Sequence, residues 1–326
     1  MRAVIVLIGV ATTFSMLRGP VAGSDVVQSF NPAAGEFPEG IALDAEGAMY
    51  VSLAPTGEIR RFGPDGSAST FHTFNPGSAG LGVLGLAADQ RGTIYAAVPS
   101  NAPEAHGVWA ISSDGLAERL PGSEAIIFPN GIARDERGTL YVTDSIGAAV
   151  WRIPASGAAE RWLEHASLAG TGALNGSGAP IGANGIAYDR SRLLVANTEL
   201  KQVVEVPIEP SGAAGTPRIL HTFSGDMAFL DGLGVDVVGN AYVLVTGMNQ
   251  LVQLDRAGTA TVIATHGEDG LNIPASLAFG VRGQSKRTLY VSNFSLPPLV
   301  ALVGSEPPTP GVIALDVPLP GAPLTP

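Results

Sequence analysis

Pro129-Asn-Gly-Ile-Ala-Arg-Asp135 is followed by Thr139-Leu-Tyr-Val-Thr143, and this pairing decides the fold because it recurs. The first half returns as Pro38-Glu-Gly-Ile-Ala-Leu-Asp44, Val83-Leu-Gly-Leu-Ala-Ala-Asp89, Ala183-Asn-Gly-Ile-Ala-Tyr-Asp189, Leu230-Asp-Gly-Leu-Gly-Val-Asp236 and, more loosely, Pro274-Ala-Ser-Leu-Ala-Phe-Gly280. The second half returns as Ala48-Met-Tyr-Val-Ser52, Thr93-Ile-Tyr-Ala-Ala97, Arg192-Leu-Leu-Val-Ala196, Ala241-Tyr-Val-Leu-Val245 and Thr288-Leu-Tyr-Val-Ser292. Most copies add a third apolar strand, as in Val150-Trp-Arg-Ile153, and then a polar Gly turn and a fourth, as in Thr259-Ala-Thr-Val-Ile263. The second residue of each copy stands at 39, 84, 130, 184, 231 and 275, so the spacings are 45, 46, 54, 47 and 44. Four short strands in a unit of this length predict an all-β, six-bladed β-propeller with four-stranded blades. One blade cannot bury its own faces, whereas six closed into a ring can. No stretch sustains a 3.6-residue apolar period, so almost no helix is expected.

Closing the ring requires a strand from the far end of the chain. Ser24-Asp-Val-Val-Gln-Ser-Phe30 precedes the first copy and is expected as the outer strand of the last blade, with Gly311-Val-Ile-Ala-Leu-Asp-Val317 as its third. The propeller thus occupies residues 24–317 as one domain. Residues 318–326 contain Pro318, Pro320, Pro323 and Pro326 and predict an extended, poorly ordered tail. Ahead of the propeller, basic Met1-Arg2, an apolar run from Ala3 to Leu17 and the small residues Val21-Ala-Gly23 form a signal-peptide pattern over residues 1–23. That run is shorter than the ~20 residues a bilayer span needs. The mature chain is therefore expected to be secreted or periplasmic, monomeric and without a membrane span.

Composition narrows the function classes. Eighteen Lys+Arg against 29 Asp+Glu give a net charge of −11, which argues against a nucleic-acid partner because no basic stripe is available for phosphates. The absence of Cys removes a disulfide scaffold, a thiolate zinc site and a cysteine nucleophile. With 45% hydrophobic and only 14% charged residues, the chain is too apolar to be disordered.

Within a repeat, the informative positions are those that differ between copies. The first strand of each blade lines the central channel, and its opening residue stands at one mouth. There the six copies carry Glu39, Leu84, Asn130, Asn184, Asp231 and Ala275, and Ile or Leu two residues later fixes the register. Two carboxylates and two carboxamides form a hard oxygen set that suits Ca²⁺. Zinc would ask for His or Cys, and neither occurs at this rim. Taken singly, an Asn-Gly or Asp-Gly is an ordinary turn dipeptide. Four polar residues at one register favour a metal site built from Glu39, Asn130, Asn184 and Asp231, with calcium or another divalent cation as cofactor.

Phe37-Pro-Glu-Gly-Ile41, Phe128-Pro-Asn-Gly-Ile132, Ala183-Asn-Gly-Ile186 and Leu230-Asp-Gly-Leu233, in that order and spacing, resemble the senescence-marker-protein/gluconolactonase/luciferin-regenerating family across roughly residues 25–317. Paraoxonases and diisopropyl fluorophosphatase are similar in using the same four blades. The resemblance implies a six-bladed propeller with a divalent metal at the channel mouth. It further implies that Glu39, Asn184 and Asp231 bind the metal directly and that Asn130 completes the sphere or orients substrate. Asp231 becomes the candidate general base or nucleophile. Two departures bear on the substrate. The gluconolactonase branch has an Arg where this chain has Phe128, and paraoxonases have a His where it has Leu84. An aldonolactone is thus not favoured, and an apolar rim of Leu84, Phe128 and Ala275 suggests a less polar lactone or ester.

His72, His165, His221 and His266 fall 33, 35, 37 and 35 residues after Glu39, Asn130, Asn184 and Asp231, so they share one repeat position at the end of the outermost strand. His106 breaks that pattern. It lies in Pro99-Ser-Asn-Ala-Pro-Glu-Ala-His-Gly107, a loop expected at the metal's mouth. An ordinary imidazole titrates near pH 6.5, which suits a catalytic proton shuttle; a solvated loop side chain is the other reading. The 169–182 loop is too Gly-rich to hold itself rigid and is expected as a mobile lid beside Asn184. Asn293-Phe-Ser-Leu-Pro-Pro-Leu-Val300, with its insertion to Pro310, is expected to cover the pocket or meet a partner. Asp144, Asn197 and Asn293 follow second strands as turn caps or as support for the mouth. The expected function is a secreted calcium-dependent hydrolase acting on a small lactone or ester. The alternatives are a non-catalytic binding propeller with a structural metal, and a metal-free lyase or synthase.

Overall fold

The computed structural model describes residues 23–78, 81–174, 178–303 and 307–326. The leader expected over residues 1–23 lies outside the described residues except for Gly23. Twenty-four strands form six antiparallel four-stranded sheets. The first strands of successive blades, Pro38–Leu43, Leu86–Ala88, Pro129–Arg134, Ala183–Asp189, Leu230–Val235 and Pro274–Phe279, pack side by side around the central channel. Blade six runs Pro274–Phe279, Thr288–Asn293 and Gly311–Asp316, and Ser24–Ser29 adds its outer strand in antiparallel register, Ser24 opposite Leu315 and Ser29 opposite Gly311. The ring is therefore closed by the strand that the sequence predicts.

Each conspicuous residue of the repeat has a physical task. The motif Asp bends the first strand into the second. Asp44 Oδ1 accepts from the N–H groups of Glu46 and Ala48, both at 2.9 Å, and Asp89, Asp135 and Asp236 do the same in their blades. The motif Gly is a contact between blades. A Cβ on Gly40 would lie 2.3 Å from Leu84 O, one on Gly131 2.5 Å from Asn184 O, and one on Gly185 2.3 Å from Asp231 O. The Asn-Gly and Asp-Gly pairs thus lie inside strands, where only Gly lets neighbouring backbones approach so closely; the turn-dipeptide reading of them fails.

Cores fill the wedges between blades. Tyr50, Ile59 and Phe74 of blade one meet Ile94, Val98 and Ile111 of blade two. Burying each Ile in full contributes about 1.5–3 kcal/mol.

The tail is extended, as expected, but it is tied down. Pro320 O accepts from Val237 N–H at 3.0 Å, and Ala322 N–H donates to Val235 O at 3.0 Å. Leu324 O accepts from Gln90 Nε2 at 2.7 Å, and Thr325 Oγ1 accepts from Arg134 at 3.0 Å. Proline removes donors but leaves carbonyls free to accept, so a Pro-rich segment can be held from one side. This strap runs from blade five to blades two and three across the far mouth of the channel. Behind it is a cavity of about 600 Å³ lined by Leu43, Leu86, Ile132, Tyr188 and Phe279 together with the strap.

Candidate metal centre

Glu39, Asn130, Asn184 and Asp231 are each the second residue of a channel-lining strand, so the fold sets all four at one level of one mouth. Buried hydroxyls of the second strands hold that level. Ser52 Oγ accepts from Gly40 N–H and donates to Leu84 O, both at 2.7 Å. Thr143 Oγ1 accepts from Gly131 N–H at 2.8 Å and donates to Asn184 O at 2.6 Å. Ser292 Oγ accepts from Ser276 N–H at 3.0 Å and donates to Glu39 O. These clasps fix the backbone of three rim positions. They escaped the sequence reading, although the recurring Tyr-Val-Ser/Thr of the second strands carried their signal.

The two carboxylates of the ring lie in an unfavourable setting. Glu39 is 6% exposed, and its Oε2 has no hydrogen-bond partner. Burial pushes its carboxyl up to about 8. Asp231 is only partly covered in area, yet burial and then the charge of Glu39 push its carboxyl well above the usual range, against the opposing effect of the Asn184 side chain. Two carboxylates are thus set against each other away from water, and among the described residues no salt bridge relieves either.

The carboxamide nitrogens are held by hydroxyls of the neighbouring turns, and the Asn184 side chain also faces the Asp231 carboxylate. Asn184 Nδ2 donates to Thr198 Oγ1 at 3.1 Å, and Asn130 Nδ2 donates to Ser145 Oγ at 3.1 Å. Ser145 already gives its proton to Ala183 O at 2.6 Å, so toward Asn130 it can only accept, and this fixes which end of the amide faces it. The Asn130 amide oxygen is therefore the end turned away from Ser145. Among the described residues no group of three or more His, Cys, Asp or Glu gathers. The polar groups at this level are two carboxylates and two carboxamides, and Glu39 Oε2 is a buried acceptor with no hydrogen-bond partner.

One side of the mouth is apolar. Leu84 and Ala275 cluster with Phe37, Ile273, Phe294 and Val300, and Phe128 packs against them, so all three residues expected at the apolar rim meet in one wall. The insertion after Asn293 folds into the short helix Pro297–Val303, and its Leu299, Val300 and Val303 join the same wall. It covers rather than projects.

The remaining candidates are tied into the frame. His106 is half-buried, with Nδ1 3.1 Å from Ser100 O and Nε2 2.7 Å from Ile126 O. Each ring nitrogen thus faces a backbone carbonyl, to one of which the neutral ring donates, beside the segment that leads to Asn130. His72, His165, His221 and His266 stand at or just after the ends of outer strands, as the spacing predicts. Asp144 accepts from the N–H groups of Ile127 and Phe128, both at 3.0 Å. Asn197 and Asn293 likewise clamp the backbone that enters their blades.

The Gly-rich loop has an anchor outside itself. Residues 175–177 lie outside the described residues, but Thr171, Gly172 and Leu174 donate backbone N–H groups to the Glu199 carboxylate. Those hydrogen bonds, with the Thr171 hydroxyl, hold the Glu199 carboxyl below its usual range despite its burial. One distant carboxylate thus ties down residues 171–174 of a loop that its own composition leaves without internal support.

Residues 180–295 match the SMP-30/gluconolactonase/LRE-like region, and residues 29–62 match the N-terminal part of the strictosidine synthase-like family. No curated protein matches the chain by sequence. Among solved structures, the calcium-binding protein regucalcin of Agrobacterium tumefaciens is similar at a TM-score of 0.68 and 14% identity, over 95% of this chain and 98% of that one. A gluconolactonase of Xanthomonas campestris is similar at 0.62 and 17% identity, over 92% and 98%. Streptogramin B lyase shares the fold at 0.57 and 14% identity, over 90% and 98%. At these identities the likeness concerns the six-bladed fold, which carries different chemistries.

Proposed function

We propose that this protein is a secreted, monomeric, calcium-dependent hydrolase of fairly apolar lactones or related esters. The observation that carries the proposal is the orphaned, buried Glu39 Oε2 facing a site shared with Asp231, an arrangement that calls for a divalent cation. Glu39, Asn184 and Asp231 would hold the ion, with Asn130 completing the set. Bound there, Ca²⁺ or a similar cation supplies Lewis-acid polarisation of a carbonyl and stabilises the negative charge that develops on its oxygen.

The chain's own residues supply the remainder. Asp231 takes the proton of a water that attacks the ester carbonyl and returns it to the alkoxide as the acyl C–O bond breaks. In the alternative it attacks that carbonyl itself, expelling the alkoxide, which takes a proton from water, and leaving an acyl-aspartate that a second water cleaves. Asn130, its amide held by Ser145, orients the carbonyl end of the substrate. Phe37, Leu84, Phe128 and Phe294 hold the hydrocarbon part and exclude bulk water. With Phe128 where a sugar-gripping Arg would be expected, a polyhydroxylated lactone finds no partner on that side. His106 keeps the Ser100 and Ile126 backbones together and is assigned to positioning. Export rests on the apolar run between Ala3 and Leu17.

The test is hydrolysis of a panel of alkyl lactones and aryl esters before and after EDTA, with calcium added back. Turnover that vanishes and returns supports the proposal. Turnover indifferent to EDTA rejects the metal-dependent mechanism, and metal-bound protein inert to the whole panel points to a binding propeller.

A further inference from the structure

Three consecutive residues at the end of blade four's second strand hold the surroundings of Asn184. Asn197 Nδ2 donates to Ser167 O and Ala169 O, both at 2.9 Å. Thr198 Oγ1 accepts from Asn184 Nδ2 at 3.1 Å, while Thr198 N–H donates to Gly182 O at 2.9 Å. Glu199 Oε2 accepts from Gly172 N–H at 2.7 Å, from the Thr171 hydroxyl at 3.0 Å and from Thr171 N–H. Its Oε1 accepts from Leu174 N–H at 2.9 Å. Four donors thus converge on a carboxylate of a residue only 8% exposed.

A Gly-rich segment can turn without such help, and burying a carboxylate is costly unless it is fully bonded. What the clamp adds is a fixed position for residues 171–174, set on the same turn that orients Asn184. The ring order says what that position faces. The apolar wall comes from blades six, one and two, through Phe294, Ala275, Phe37 and Leu84, and ends at Phe128 of blade three. Blade four stands opposite blade one across the channel mouth.

We propose that Glu199 is a positioning residue that sets substrate selectivity, by fixing residues 171–174 as the side of the mouth opposite the apolar wall. The inference rests on the hydrolase reading above. Substrates whose hydrocarbon part extends beyond the reacting carbonyl are held between the two sides, and short ones need only the ring of ligands.

The experiment uses the full chain carrying Glu199→Gln, with Thr171→Val as a milder second variant. Hydrogen exchange is read at the amides of Thr171, Gly172 and Leu174, and kcat and KM are read over lactones of increasing alkyl length. Losing charge-assisted bonds should speed exchange at these amides about tenfold or more and raise KM for long-chain substrates about tenfold, with kcat within about twofold. The shortest lactone should be unaffected, and Thr171→Val should shift the same quantities less. Freed amides with an unchanged KM series, or an equal fall in kcat at every chain length, would overturn the inference. Should Glu199→Gln lose its cooperative melt, Thr171→Val decides on the same criteria. A wild-type chain inert to every ester removes the hydrolase reading and this inference with it; an active wild type matched by both variants removes this inference alone.

Discussion

The two mouths of the channel are built by the same six strands and have opposite characters. At one, Glu39, Asn130, Asn184 and Asp231 present oxygens beside an apolar wall. At the other, the lining mixes aliphatic Leu43 and Val235 with charged Arg134 and Asp189, and the chain's own strap crosses the opening. Each rim residue lies in the irregularity between its strand's first residue and the following Ile or Leu, and only below it does the strand alternate, as from Ile41 to Leu43. Chemistry is therefore confined to one level of the channel, and the level beneath it is hydrocarbon. Two buried carboxylates above such a floor repel each other strongly, and that is the condition a cation relieves.

The comparison can be broken most decisively at Asp231. Asp231→Asn should lower kcat by about 10³-fold, the usual contribution of a positioned base or nucleophile, in a protein that still melts cooperatively. A loss of less than tenfold would assign the chemistry elsewhere. Glu39→Gln sharpens the electrostatic half of the contrast. The Glu39 carboxyl is raised to about 8, so its contribution favours the fold below the ordinary glutamate range and is lost as pH climbs toward that value. Metal-free wild-type protein should therefore lose a few kcal/mol of stability between pH 5 and pH 8, while metal-free Glu39→Gln should lose less. Denaturant melts in EDTA at both pH values check this, and parallel curves for the two proteins would contradict it.

The far mouth offers the smaller effects. Deleting residues 318–326 removes several strap hydrogen bonds but also the entropy cost of ordering the strap, so stability should fall by about 1–3 kcal/mol. Ester turnover at the other mouth should stay within about twofold, because the aliphatic level separates the two ends. A collapse of turnover would show that the mouths are not independent. His106→Gln should cost about 1–2 kcal/mol through the Ser100 and Ile126 carbonyls and leave the pH–rate profile unchanged. A limb near pH 6.5 present in wild type and missing in the variant would instead make His106 the proton carrier.

What the sequence revealed follows from which forces repeat. Blade number, strand order and the closing strand Ser24–Ser29 were legible because every blade repeats the same apolar alternation. The shared level of Glu39, Asn130, Asn184 and Asp231 was legible as the position where the copies disagree. The strap was not, because Pro-rich composition reads as disorder when the carbonyl acceptors it retains are overlooked. Nor was the Glu199 clamp, since a loop's own composition says nothing of a carboxylate 25 residues downstream of Leu174. Beside Asn or Asp the motif Gly taken singly resembles a turn signal, and only the packed ring makes it a contact between blades.

The most direct test of the account is a calorimetric titration of the metal-stripped, full-length chain with calcium, repeated on Glu39→Gln. The account predicts one saturable site in the wild type and a loss of affinity of at least about tenfold in the variant, as expected when a charged ligand is removed from a buried site. A wild-type chain that binds no calcium, or a variant that binds it equally well, would contradict the assignment of this mouth as a metal centre.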